Sequence, residues 1–135
     1  MSSYNNGKNP EFLNNYLVHL KVVKMLSERT IEEYYFDIRL FLKYIRTDFE
    51  KTDNPDETDI RDMTEDELKK ITLTDVYNFL FYTSDERKNH DRARCRKISA
   101  LKSFFRYLTK GVHILEDNPI KDIETAMPKK SMPKF

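Results

Sequence analysis

The sequence predicts an all-α fold, a compact bundle of four main helices with one short extra helical turn and a C-terminal linker. Three observations predict it. The 135 residues hold 2 Gly and 5 Pro, and residues 11–54 and 56–110 contain neither, whereas strands come with frequent turn glycines. Apolar residues recur at helical spacing in at least four segments. Finally, 17 Phe and Tyr provide apolar surface for a single modest core even though 35% of residues are charged, which excludes a disordered chain.

The first helix is expected to start with Asn9 as N-cap and Pro10 in the first helical position, where its missing N–H costs nothing. Phe12, Leu13, Tyr16, Leu17 and Leu20 mark its inner face. In the second helix Thr30 and Glu33 fit a capping box, with Ser27 as the alternative cap one turn earlier. Ile31, Tyr34, Tyr35, Ile38, Phe41, Leu42 and Ile45 form its apolar face to about Asp48, leaving Phe36 and Leu40 off that face.

The acidic stretch 48–63, with Asn54-Pro55-Asp56, has no apolar period and reads as a loop. Thr64 and Glu67 then cap a short helical turn. A better helix starts at Thr72 and turns Val76, Tyr77, Phe79, Leu80 and Thr83 inward, ending at the polar break 84–91. In the last long helix Ile98, Leu101, Phe104, Phe105 and Leu108 fall within about 120° of one another. Arg92, Arg96, Ser99, Lys102, Ser103, Arg106 and Lys110 lie opposite, while Arg94 and Lys97 fall nearer the apolar side. Gly111 supplies the C-cap, and Asp117-Asn118-Pro119 turns into a short helical piece over Ile120–Ile123. Residues 1–8 are expected to be a flexible tail, 9–124 the domain, and 125–135 a basic, proline-interrupted linker leading to a further domain.

Composition narrows the function. One cysteine forms no internal disulfide and no Cys/His set has zinc spacing. No apolar run approaches a membrane span and no signal peptide opens the chain, so a reducing cytoplasm is the expected compartment. Two glycines build no phosphate-cradling loop, Cys95 has no designated base, and His19, His90 and His113 are scattered. No catalytic constellation, metal or cofactor is indicated.

The net charge of +1 conceals a polarised chain. Residues 48–67 carry ten acids against two bases, a balance of −8, and residues 87–110 carry nine bases against one acid, a balance of +8. A rigid helix bearing Arg or Lys every three or four residues can meet several phosphates of duplex DNA while entering the major groove. That pattern nominates Arg92, Arg96, Lys102 and Arg106. The competing reading is a helical protein-interaction module, with Phe36 and Leu40 marking the partner face and the bases solubilising.

Two stretches resemble a known family. Ser27, Thr30, Tyr34, Asp37, Ile38 and Phe41 match a pattern S-x-x-T-x-x-x-Y-x-x-D-[LI]-x-x-F, and Arg96, Ile98, Ser99, Ala100, Leu101, Lys102, Phe104, Phe105, Tyr107 and Leu108 match R-x-[LI]-S-A-[LI]-[RK]-x-F-[FY]-x-[FY]-L, with Asn118-Pro119 closing the series. This resembles the N-terminal, SAM-like core-binding domain of tyrosine site-specific recombinases of the phage-integrase and Xer kind. The resemblance covers about residues 9–135. It implies a four-helix domain forming one jaw of a clamp on double-stranded DNA at a recombination half-site, assembling as an oligomer there. The catalytic domain would follow the linker in the same parent chain, leaving this part non-catalytic. Carried over by position, the resemblance adds Thr30 and Ser99 to Arg96 and Lys102 as DNA contacts. Lys102 stands where Arg is more usual, so phosphate contacts are expected there, with no bidentate guanine readout.

Overall fold

The structure is a computed structural model that describes residues 4, 6–50, 57–85 and 91–124. Among these the protein is entirely helical. The order is α1 (Glu11–Val22), α2 (Glu28–Glu50), α3 (Glu65–Leu68), α4 (Leu73–Asp85) and α5 (Asp91–Arg106), with α5 continued by a π-turn over Tyr107–Gly111. The predicted turn at Asn54-Pro55-Asp56, the bases Arg87 and Lys88 with His90, and the linker 125–135 lie outside the described residues.

Helix ends follow from local hydrogen bonding. Pro10, and not Asn9, is the N-cap of α1, with extended backbone at φ −66° and ψ 158°. Asn9 is buried and its side chain is committed elsewhere. It accepts from the Tyr35 hydroxyl (3.0 Å) and donates to the Tyr4 carbonyl (2.8 Å) and to Asn14 Oδ1 (3.1 Å). Contacts thus reach into the expected N-terminal tail, where Asn6 also donates to the Tyr35 hydroxyl at 2.8 Å. In α2 the earlier of the two caps is used, since Ser27 Oγ accepts from the Thr30 N–H at 3.1 Å. Thr64 and Glu67 form the predicted capping box, and Thr72 and Asp75 cap each other's N–H groups at 3.2 and 2.9 Å.

Other ends differ from expectation. Residues 48–50 continue α2, so the acidic loop starts later. Ile60 and Met63 of that loop are buried, because a loop closing over a bundle end needs apolar anchors even without a period. Tyr77 faces outward, its hydroxyl accepting from the Glu124 N–H at 3.0 Å. Residues 120–123 form successive turns, and Asn118 Oδ1 accepts from the Ile120 N–H at 2.9 Å. Gly111 is not a left-handed cap: it closes the π-turn, where an added Cβ would meet Tyr107 Cδ1 at 3.2 Å, and His113 takes the positive φ (58°).

The core joins all four main helices, α2 packing most extensively on α5. Phe41 of α2 sits edge-to-face with Phe79 of α4 (5.1 Å) and Phe105 of α5 (6.0 Å). Phe104 meets Phe12 and Tyr16 of α1 at 6.4 and 5.1 Å. Ile98, Leu101, Phe104, Phe105 and Leu108 are all buried, so the inner face of α5 is fixed and its opposite face is turned outward.

Candidate nucleic-acid interface

Burying one stripe of α5 forces the other stripe to solvent. Arg92, Ser99, Lys102 and Arg106 are exposed along it, and Lys110 continues it through the π-turn. Lys102 and Arg106, one turn apart, stand about 6 Å apart along the axis. Neither makes an ion pair with a described residue. Ser103, beside them, is half-buried and accepts a hydrogen bond from the Tyr16 hydroxyl at 2.8 Å. Burial pushes the Tyr16 phenol above its ordinary range, so it serves as a neutral donor that fixes α5 against α1.

Arg96 differs from its neighbours on the stripe. Its guanidinium donates through Nε to Asp37 Oδ2 (2.8 Å) and through Nη2 to Asp37 Oδ1 (3.0 Å), a bidentate pair between α5 and α2. Lys97 Nζ approaches Asp37 Oδ1 at 3.4 Å. Asp37 is buried, the Lys97 side chain is 5% exposed and that of Arg96 37%. The hydrogen bonds from Arg96, opposed by partial desolvation and aided by the charges of Asp37 and Glu33, hold its positive charge more firmly than usual. Sequence periodicity places Lys97 near the apolar side but does not identify its partner. The partner is a buried acid 60 positions away.

Thr30 sits in the first turn of α2, half-buried, with Ser27 Oγ donating to its hydroxyl at 3.0 Å. It is therefore a cap participant as well as a candidate contact. The structure brings Ser99, Lys102 and Arg106 onto one exposed face of α5, with Arg92 a turn or two toward its N-terminus. Sequence reasoning missed Lys24, which follows α1 yet lines the same groove as Lys102, Arg106 and Lys110. Nothing in its local pattern marks it, since only the packing of α1 on α5 brings it there. Three acids of the acid-rich stretch are internally paired: Arg46 bonds Asp62 and, at 3.3 Å, Glu67, and Arg61 pairs with Asp59 at 3.5 Å. Among the described residues no group of three His, Cys, Asp or Glu side chains is arranged to hold a metal, and no helix is long and apolar enough to cross a membrane.

Comparison with known proteins gives concordant matches. Residues 13–70 match the family model described as phage integrase, N-terminal SAM-like domain. The chain is 33% identical over 121 residues to a protein named tyrosine recombinase XerC from Caldanaerobacter subterraneus subsp. tengcongensis, a match covering 87% of this chain and 34% of that protein. It is 31% identical over 124 residues to a tyrosine recombinase XerD of Listeria innocua, covering 92% and 36%. A tyrosine recombinase XerC of Pediococcus pentosaceus is 29% identical over 125 residues, covering 93% and 36%. The chain spans about a third of the length of these curated relatives. No solved structure matches it.

Proposed function

Since the chain belongs to the phage-integrase N-terminal SAM-like domain family of tyrosine recombinases, we propose that it is the DNA-clamping module of such a recombinase, docking on duplex DNA at a recombination half-site in the cytoplasm. The observation that carries this reading is the exposed α5 face, where Lys102 and Arg106 stand clear of every described carboxylate while the inner face is locked into the core. Cations at four-residue spacing on a rigid helix fit a phosphate backbone and release its counterions on binding. Arg92 and Ser99 extend the same surface, and Thr30 adds a hydroxyl at the start of α2. Arg96 keeps further N–H donors beyond the two that Asp37 accepts, and is held in one orientation for a phosphate or a base edge.

Strand cleavage in this reading belongs to a catalytic domain of the same parent chain, and oligomers form on the DNA. Tyr16, Tyr35 and Tyr107 are buried in the core, a position that suits packing and not attack on a phosphodiester.

The test is a titration of a labelled duplex, followed by fluorescence anisotropy over a range of salt concentrations. The affinity should fall with salt with a log–log slope of about −0.9 per phosphate neutralised. Lys102→Glu with Arg106→Glu should make that slope less negative by about 1.8, roughly a sixty-fold weakening at 0.1 M salt relative to 1 M. Wild-type affinity and slope in this variant, with an unchanged melting temperature, would show that the surface is wrongly placed.

Phe36 favours a second reading, protein interaction, being 47% exposed on α2. Leu40 is partly buried against the core, so it belongs to packing. Phe36→Ser should leave duplex affinity unchanged and weaken self-association measured by analytical ultracentrifugation on DNA. Equal loss of both would merge the two surfaces into one.

A further inference from the structure

The cationic surface does not stop at α5. At the end of α1 the His19 carbonyl accepts from both the Val23 and Lys24 N–H groups, at 2.9 and 3.0 Å, and Met25 takes a left-handed conformation (φ 56°) that turns the chain toward α2. Lys24 is thereby tied by its own backbone to His19. The His19 ring lies against Tyr107 of the π-turn, with centroids 4.8 Å apart. Between these two ends runs a groove of about 380 Å³ lined by Lys24, Lys102, Arg106 and Lys110, with no carboxylate among its described lining residues. Four cations gathered from two helix ends, with no carboxylate of a described residue in the groove's lining, oppose one another unless an anion is present.

We propose that this corner extends the seat for the DNA backbone beyond α5: a phosphodiester group lodges between Lys24 and the Lys102, Arg106 and Lys110 side chains, with His19 as a donor that strengthens on protonation. The proposal rests on the DNA-binding reading above and extends the contact surface from α5 onto α1. Partial burial first, and then the Lys24 charge, hold His19 below its usual range, so it is neutral near pH 7 in the free protein. The groups facing it are Lys24 from the end of α1 and Lys102, Arg106, Tyr107 and Lys110 from α5 and the π-turn. A phosphate introduces the missing negative charge and raises the histidine, so binding takes up a proton. Affinity is then highest at pH values below the free-state pKa of His19 and falls as pH rises through its value in the complex.

Lys24 is exposed, so Lys24→Glu should fold normally, which its melting temperature checks. In the anisotropy titration it should make the salt slope less negative by about 0.9, close to an eight-fold weakening at 0.1 M salt relative to 1 M. The wild-type chain should bind the duplex more tightly at pH 5.5 than at pH 8, and His19→Gln should flatten that difference. If Lys24→Glu binds as wild type while the Lys102/Arg106 double variant weakens, the corner seat is overturned and the α5 surface stands. If neither weakens, the DNA-binding reading itself fails. A pH profile identical in wild type and His19→Gln removes the histidine from the seat.

Discussion

Asp37→Leu is expected to destabilise the domain by about 3–5 kcal/mol, the range for breaking a buried ion pair by removing one partner. Asp37 is 3% exposed and accepts from Arg96 at 2.8 and 3.0 Å, with Lys97 at 3.4 Å, so one carboxylate holds two α5 cations against α2. Without it the Lys97 ammonium, 5% exposed, loses its buried counter-charge, while the half-exposed Arg96 can turn to water. The melting temperature should fall by roughly 10 °C or more. A companion variant, Asp37→Leu with Lys97→Met, replaces the charged cluster by apolar groups and should recover most of the loss. If Asp37→Leu melts within a degree or two of wild type, the pair is not holding the two helices together. Because this clasp sets the rotation of α5, its rupture should also weaken duplex binding through a surface that Asp37 does not itself form.

Phe41→Ala should cost about as much, 3–5 kcal/mol, by a different physical route. Phe41 is fully buried and meets Phe79 and Phe105 edge-to-face, so its ring is the point where α2, α4 and α5 join. Truncation forfeits the apolar transfer energy and leaves a void that rigid neighbours fill only in part. Urea denaturation should show a lower midpoint with an unchanged slope, since the area exposed on unfolding hardly alters. Phe41→Leu keeps most of the volume and should lose less than half as much. Equal losses in the two variants would assign the effect to aromatic geometry instead of volume.

These two residues show which properties were legible early. Phe41 lies on the apolar face that helical spacing assigns to α2, and Ile98, Leu101, Phe104 and Phe105 of α5, with Leu108 of the π-turn, are all buried as that spacing requires. The Thr64–Glu67 box was equally readable, because a cap depends on residues three positions apart. Asn9 matches the sequence pattern of a cap but does not act as one, because its side chain is used by Tyr4, Asn14 and Tyr35, the last 26 residues away. The burial of Ile60 and Met63 is not legible in the sequence, because loop anchors have no period to reveal them.

Taken alone, the order of residues determined the helical class, most of the buried stripe of each main helix, Tyr77 of α4 excepted, and the cationic stripe on α5, since all of these rest on a 3.6-residue repeat acting over short spans. Only the tertiary structure decided which cations of α5 are already bound. Arg96 and Lys97 are engaged by Asp37, Lys102 and Arg106 face outward, and Lys24 joins them from α1. The physical reason is that charge interactions depend on separation in space, a few ångströms for Asp37 and Arg96, and not on the 59 positions between them along the chain.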